Sequence, residues 1–128
     1  GHIKGRPNVM SKLKEIFDKT QKEMFICTSA DDFENKARML VPSLEALNKN
    51  DVRVKIALSG APEKIKKLNH KYNLKAKETD NTGKFFISDK KEAFFMINKD
   101  LDEEVGIWLS SPHFASSFAG MFDLHLRK

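Results

Sequence analysis

Three residues near the middle of the chain have types and a spacing that could form an anion or effector contact. Thr82, Lys84 and Asp89 lie in the stretch TGKFFISDKKEAFFMI, residues 82–97, which is typical of two apolar strands joined by a charged turn. A lysine can stabilise negative charge electrostatically. A threonine hydroxyl without a general base is a poor nucleophile and cannot shuttle a proton at neutral pH. The spacing therefore indicates an anion contact without an evident catalytic group, although K-x-x-x-x-D also arises by chance.

A second group that could contact an anion lies near the end of the chain. Ser110, Ser111 and His113 stand at the predicted start of a helix, where the free backbone N–H groups favour anions. Ordinary capping of that helix is the alternative interpretation.

Other catalytic chemistries find little support. No two histidines share a metal-ligand spacing with each other or with the single cysteine, so we expect no metal and no cofactor. There is neither a glycine loop of the phosphate-cradling kind nor a nucleophile elbow. Cys–His and Ser–His–Asp catalysis stay open as alternatives, because their residues can come together in the folded chain from distant positions. Cys27 lies in the apolar run MFICTS, which predicts a buried, inert thiol in a reducing compartment.

The charge of the chain is uneven. The 128 residues carry a net charge of +5, and residues 62–91 alone hold nine lysines against four acidic residues. A basic segment of this kind can contact phosphate or nucleic acid, and a solvated lysine-rich surface is the alternative. Few aromatic residues lie among these lysines, so a base-stacking platform is not indicated. No apolar run approaches the ~20 residues of a membrane span, and we expect a cytoplasmic protein.

The predicted helices and strands that position these residues alternate in the first part of the chain. A run of strands and a last helix follow. Pro42 is expected to kink or break the second helix, and a stripe of large apolar residues on the last helix is expected to be buried. The order predicts an α/β fold with a mixed sheet flanked by helices on both faces. The helices are predicted at 9–23, 29–50, 60–72 and 111–128, the strands at 24–28, 51–59, 73–79, 83–89, 92–98 and 105–110, and the buried stripe at Phe114, Phe118, Met121 and Phe122.

Three blocks of the sequence resemble a known family. IKGRPNVMSKLKEIFDKTQKEMFICTS, NDVRVKIALSG and VGIWLSSPHFASSFAGMFD are similar, in order and spacing, to the phospholipase D-like domain of the TrmB family of archaeal transcription regulators, over residues 3–125. The catalytic motif of the phospholipase D superfamily is H-x-K-x-x-x-x-D followed by G-S-x-N. Its histidine attacks phosphorus, its lysine neutralises a phosphoryl oxygen and its aspartate stabilises local structure.

The chain departs from that motif at its catalytic positions. Lys84 and Asp89 match, but Thr82 replaces the histidine, Met96 and Ile97 replace Gly-Ser, and Lys99 replaces the asparagine. The resemblance therefore implies a non-catalytic, half-size phospholipase D-like fold, a pseudoenzyme that serves dimerisation and the sensing of an unknown small-molecule effector.

The resemblance also implies partners and a position in a longer protein. We expect a single regulatory domain at 3–128, cut from a longer chain, with residues 1–2 as a tag remnant. A homodimer is expected, with DNA bound through a winged-helix domain upstream. An effector pocket is expected near Thr82, Lys84 and the helix start at 110–113, with the signal passed to residues 3–23. Sugar binding is not implied, because in the family it belongs to an additional domain.

Two alternatives remain at this point. One is a homodimeric phosphodiesterase that uses another histidine as nucleophile. The other is a basic nucleic-acid-binding module built on residues 62–91, whose affinity would fall steeply with salt.

Overall fold

A computed structural model describes residues 1–100 and 103–126, with side chains described at 1–97 and 104–121. Over these residues the chain forms seven strands and five helices. The strands are β1 His2–Lys4, β2 Glu23–Ser29, β3 Arg53–Ser59, β4 Lys77–Glu78, β5 Phe85–Ser88, β6 Glu92–Asp100 and β7 Glu103–Ser110. The helices are α1 Arg6–Lys19, α2 Ala30–Asn35, α3 Ala37–Lys49, α4 Pro62–Tyr72 and α5 Pro112–Leu126. None of the described helices is long and apolar enough to cross a membrane.

The strands form one mixed sheet in the order β1-β7-β6-β5-β2-β3-β4. β2, β3 and β4 run parallel, whereas β5, β6, β7 and β1 pair antiparallel with their neighbours. The parallel strands are joined through α2, α3 and α4, as crossover connections require. The predicted mixed sheet with helices on both faces is confirmed.

The larger core lies on the face of the sheet that α1 to α4 cover. Each of these helices buries one apolar stripe there, and the strands contribute alternate residues. Its fully buried members include Val9 and Leu13 of α1, Phe33 of α2, Leu40 of α3, Ile26 of β2, Phe86 of β5 and Phe94 of β6.

The smaller core lies on the opposite face under α5, and it corrects one expectation. Ala115 and Ala119 are buried there, and Phe118 packs edge-on against Phe85 with ring centroids 4.8 Å apart. Phe114 and Met121, predicted to be buried, are 44% and 69% exposed. The small side chains let α5 approach the sheet closely, which turns the larger ones outward. The side chain of Phe122 lies outside the described residues.

The break in the second predicted helix also differs from the expectation. Pro42 is the sixth residue of α3, and the helix continues past it to Lys49. The chain breaks instead at Lys36, between α2 and α3, where the backbone dihedrals are φ −106° and ψ 7°. The Lys36 side chain is fully buried at this break, so the interruption coincides with a buried charge and not with the proline.

Both edge strands are short. β1 was not predicted, and its residue His2 pairs with Ile107 of β7. The N-terminal ammonium donates a hydrogen bond to the Trp108 carbonyl over 3.0 Å. Residues 1–2 therefore take part in the sheet, and their origin as a tag remnant stays a prediction. At the other edge, β4 has two residues where a strand over 73–79 was predicted.

Candidate functional site

Lys84 lies at the carboxyl end of β2, immediately before β5. Phe85, the next residue, pairs with Cys27 in β2 and with Phe95 in β6. The Lys84 carbonyl accepts a hydrogen bond from the Met96 amide over 2.9 Å. This backbone pairing fixes Lys84 at the end of the sheet where β2 leads into α2, and its side chain is 23% exposed.

The Lys84 ammonium faces a cluster of buried charges that we name the Asp32 cluster, formed by Thr28, Asp32, Lys36 and Glu104. The Lys36 Nζ lies 2.5 Å from Asp32 Oδ1 and 2.8 Å from Glu104 Oε1. Thr28 Oγ1 donates to Asp32 Oδ2 over 3.0 Å. Lys84 Nζ lies 4.0 Å from Asp32 Oδ1. Two carboxylates are thus balanced by two ammonium groups, of which only Lys84 has appreciable exposure.

One acceptor of this cluster stays unused within the described residues. Glu104 Oε2 is buried and has no hydrogen-bond partner there. Buried polar atoms without partners are uncommon in folded proteins and cost stability. The cluster therefore combines strong ion pairs with one unsatisfied oxygen, an arrangement that favours a functional origin over a purely stabilising one.

Thr82 is exposed and makes no hydrogen bond to any described residue that could act as a base. The described histidine side chains, His2, His70 and His113, lie on β1, α4 and α5 and not on the strands or loops next to Thr82 and Lys84. Within the described residues, this end of the sheet therefore holds a cation and carboxylates, and the Thr28 hydroxyl that is paired with Asp32 there is fully buried.

Asp89 lies at the opposite end of β5, in the turn to β6, where it has φ +53°. Its carboxylate accepts three backbone hydrogen bonds, from the amides of Gln21, Lys22 and Glu23, over 2.7 to 2.9 Å. Its own amide donates to the Glu23 carbonyl over 2.9 Å. Asp89 therefore ties the β5–β6 turn to the start of β2 and does not contact Lys84.

The second predicted group is also distant from Lys84. Met96 of β6 lies opposite Lys84 and pairs with Gly106 of β7. Ser110 lies four residues further along β7 than Gly106 and pairs with Glu92. At about 3.3 Å per residue, Lys84 and Ser110 are therefore separated by roughly 13 Å along the strand direction. The structure therefore does not bring Ser110, Ser111 and His113 into one pocket with Thr82 and Lys84.

Ser111 and His113 have local surroundings that match ordinary capping. Ser111 Oγ accepts a long hydrogen bond of 3.4 Å from the Phe114 amide at the start of α5. Its carbonyl accepts from the Ala115 amide over 2.8 Å. His113 is exposed in the first turn of α5.

The Met96–Lys99 stretch also occupies ordinary strand positions. Met96, at the first Gly-Ser position of the motif, is buried, and Ile97 is exposed in β6. The side chain of Lys99 lies outside the described residues.

Lys36, Asp32 and Glu104 were not recognised in the sequence. The spacing of Asp32 and Lys36 in DDFENK, four residues apart in a helical pattern, is a signal that could have paired them. Glu104 stands 68 positions from Lys36, so only the fold brings them together.

Cys27 is buried as predicted. Its Sγ donates to the Gly83 carbonyl over 3.4 Å, and burial raises its pKa to about 11. No group of three or more candidate metal ligands occurs among the described residues.

An open groove lies beside the α2–α3 break. Its volume is about 380 Å³, and it is lined by Arg6, Met10, Asn35, Lys36, Arg38 and Met39. Arg6 Nη2 donates to the Asn35 carbonyl over 2.8 Å, which holds the start of α1 against the end of α2.

Comparison with known families gives one match over nearly the whole chain. Residues 2–128 match the family described as transcriptional regulator TrmB, EBD N-terminal subdomain. No curated protein sequence matches the chain.

Similar solved structures share the fold at low sequence identity. TrmBL2, described as an archaeal chromatin protein with a novel mode of DNA binding, is 19% identical with a TM-score of 0.67, over 99% of this chain and 51% of its own. Phosphatidylserine synthase from Haemophilus influenzae Rd KW20 is 17% identical with a TM-score of 0.72, over 100% of this chain and 38% of its own. NucT from Helicobacter pylori is 12% identical with a TM-score of 0.68, over 99% and 97%. The chain thus spans about half of TrmBL2 and less than half of the synthase.

Proposed function

The chain belongs to the TrmB family of transcriptional regulators, as an EBD N-terminal subdomain, and from this membership we propose that it is a non-catalytic regulatory domain that dimerises and responds to a small-molecule effector. The parent protein would be a cytoplasmic archaeal regulator that binds DNA through an upstream winged-helix domain. The observation that carries the proposal is the contact between Lys84 and Asp32. The motif lysine faces a buried carboxylate cluster, in which the hydroxyl paired with a carboxylate, that of Thr28, is fully buried.

Two features support the absence of catalysis. Thr82, at the position of the superfamily's histidine, is exposed and has no general base beside it. Lys84 has its charge partly neutralised by Asp32 at 4.0 Å, which weakens its ability to stabilise a developing phosphoryl charge. The framework of the motif is kept through Asp89, whose three backbone hydrogen bonds are structural.

An effector that presents an anion would compete with Asp32 for Lys84. The contacts that follow form a continuous series. Asp32 and Glu104 share Lys36, and the Glu104 carbonyl accepts from the Gly5 amide over 2.9 Å at the start of α1. A shift of Lys84 toward an effector would therefore alter the charge balance of a cluster that is bonded to α1. This series supports the expectation that a signal passes to residues 3–23.

The exposed apolar side of α5 supports dimerisation. Phe114 and Met121 lie on this helix, and Leu109 of β7 is also exposed. Large exposed apolar side chains are common on surfaces that bind a partner. In a two-fold dimer the same patch of both copies would meet, so these side chains would be covered by their counterparts.

Thermal unfolding tests the effector part of the proposal. We expect inorganic phosphate or a phosphorylated metabolite to raise the Tm of the chain, and Lys84→Ala to abolish the rise. Lys90→Ala is the matched control, because Lys90 is an exposed lysine paired with Glu23 at the other end of β5. The effector part would be wrong if no anion tested changed the Tm, or if both variants responded like the parent chain.

Hydrolysis of a chromogenic phosphodiester tests the absence of catalysis. We expect no turnover above the uncatalysed rate, with or without Lys84. Metal-independent turnover that disappears in Lys84→Ala would establish a phosphodiesterase instead.

Light scattering of the purified 128-residue chain tests dimerisation. We expect a dimer that dissociates in Phe114→Gln/Met121→Gln, while Ser116→Gln, at an exposed position on another side of the same helix, leaves it intact. A monomeric parent chain at all concentrations would contradict this part of the proposal.

A further inference from the structure

A cluster of exposed lysines covers the outer side of α4 and the segment that follows it. Ile65 and Leu68 face the core, so positions 66, 67 and 71 point to solvent on the opposite side of the helix. The chain then turns back and continues into the edge strand β4. We name this the α4–β4 lysine surface; its members, all exposed, are Lys66, Lys67, Lys71 and Lys75. Lys77 is not a member, because it pairs with Ala57, whose side chain belongs to the core under α5 on the other face of the sheet.

The two parts of this surface are held together by one side chain. Asn69 Nδ2 donates to the Ala76 carbonyl over 3.0 Å, and the Ala76 amide donates to Asn69 Oδ1 over 2.9 Å. Ala76 follows Lys75, so this pair of hydrogen bonds fixes the backbone beside Lys75 relative to α4. Asn73, in the left-handed conformation with φ 54°, makes the turn between them. The lysines therefore lie on a shared backbone framework.

These lysines lack the carboxylate partners that other lysines of the chain have. Lys12, Lys14 and Lys19 of α1 each have a carboxylate oxygen within 3.4 Å. No lysine of the α4–β4 surface forms an ion pair with a described residue, although Glu63 and Glu78 lie on the same two segments. Like charges held close together repel each other, so this surface is electrostatically suited to an extended anion.

We propose that the α4–β4 lysine surface binds the sugar–phosphate backbone of double-stranded DNA, as a contact additional to that of an upstream DNA-binding domain. Lysine ammonium groups contact phosphates without reading sequence. Tyr72, the aromatic residue of this region, is half-buried against Phe33 and offers no open ring for base stacking. These features favour a duplex backbone over a single strand. The proposal is independent of an effector site, because the lysines lie outside the Asp32 cluster.

Salt dependence gives the contact a measurable size. Each phosphate neutralised contributes about 0.9 to the slope of log affinity against log salt. If all four lysines engage phosphates, the slope should approach roughly −3.6. A duplex of any sequence should bind with about equal affinity, since base edges are not contacted.

The experiment is fluorescence anisotropy of a labelled mixed-sequence duplex, titrated with the 128-residue chain at several salt concentrations. We expect Lys66→Gln/Lys71→Gln to reduce the magnitude of the slope by about 2. Lys14→Gln/Lys19→Gln removes the same charge from the exposed side of α1 and should leave the slope close to that of the parent chain.

Three results would overturn the proposal. The first is no binding, or a flat salt response. The second is an equal loss in both double variants, which would show an effect of net charge alone. The third is binding to vesicles of anionic phospholipid that depends on Lys66 and Lys71, without binding to the duplex. Each result leaves the Tm and light-scattering tests of the regulatory role unaffected.

Discussion

Lys36 and Glu104 form an ion pair of 2.8 Å across 68 positions of sequence, with the Lys36 side chain fully buried. Lys36 belongs to the junction between α2 and α3, and Glu104 to β7, so the pair joins the parallel half of the fold to the antiparallel half. Removing one partner of a buried pair leaves an uncompensated charge in the interior, which costs more than the pair itself contributes.

We therefore predict that Lys36→Ala lowers the free energy of unfolding by about 3 to 5 kcal/mol. The carboxylates of Asp32 and Glu104 would lose their shared counter-ion, and the unsatisfied Glu104 Oε2 would be joined by Oε1. Urea denaturation monitored by circular dichroism would measure the change. Lys64→Ala is the control, because Lys64 pairs with Asp31 and Glu34 at the surface and should cost less than about 1 kcal/mol. Equal losses in the two variants would contradict a special role for the buried pair.

Gly106 leaves no room for a side chain beneath Phe94. A Cβ at this position would approach Cζ of Phe94 to 2.1 Å, so Gly106→Ala must displace a fully buried ring. We expect a loss of about 1 to 3 kcal/mol in the free energy of unfolding. Phe94→Leu in the same chain should remove the clash, so the double variant should lose less than the sum of the single losses.

Gly120 provides the opposite result in the same measurement. Nothing lies within 4 Å of a Cβ at this helical position, so Gly120→Ala should raise the free energy of unfolding by roughly 0.5 to 1 kcal/mol.

The prediction for Gly106 would be contradicted if the losses of Gly106→Ala and Phe94→Leu were fully additive in the double variant. Additivity would mean that the clash with the Phe94 ring is not the cause of the lost stability.

Asp89 should matter for stability although it is a motif residue. Asp89→Ala removes the acceptor of three backbone N–H groups and should cost about 2 to 3 kcal/mol in the free energy of unfolding. Asp89→Asn keeps one carbonyl oxygen and tolerates the positive φ, so its cost should be smaller. Asp80→Ala, in the exposed loop before β5, should change little. A neutral Asp89→Ala would mean that water replaces the carboxylate without penalty.

The Cys27 thiol should make stability depend on pH in the alkaline range. Burial raises its pKa from the usual 9.0 to about 11 in the folded chain. Between these values the unfolded chain binds fewer protons than the folded chain, so the free energy of unfolding falls as the pH rises, by up to about 1.4 kcal/mol per pH unit. Below pH 9 this dependence is absent.

The difference in unfolding free energy between the parent chain and Cys27→Ala isolates this contribution from that of the lysines. We expect the difference to be constant up to about pH 9 and to decrease above it. A constant difference up to pH 11 would mean that the thiolate is tolerated in the core.

The elements with a single strong pattern were predictable from the sequence. The continuous apolar runs of β2 and β5 identified buried strands, and Pro62 and Pro112 marked the starts of α4 and α5. The helical spacing of the apolar residues did not by itself show which side of α5 faces the sheet. Its alanines and its large apolar residues are both helically spaced, and the structure packs Ala115 and Ala119 against the sheet, which brings Phe118 against Phe85 and Phe95.

The charge cluster was not predictable in the same way. The pairing of Lys36 with Glu104 depends on the order of strands in the sheet, and no local pattern encodes it. The separation of Lys84 from Ser110 depends on the same order, because β5 and β7 run in the same direction and present opposite ends. Asp89 was predicted as the end of a strand beside Lys84, but it lies in the β5–β6 turn, and its contacts with the amides of residues 21–23 depend on the pairing of β5 with β2.

The short edge strand β4 restricts how copies of this domain can assemble. β4 has two residues, Lys77 and Glu78, and both carry a charge. Short edges with charged side chains discourage strand addition from another chain. At this edge, both a continuous sheet across two copies and aggregation by strand addition are therefore disfavoured. We therefore expect a partner to bind a helical face of the domain, where side chains and not backbone hydrogen bonds determine recognition.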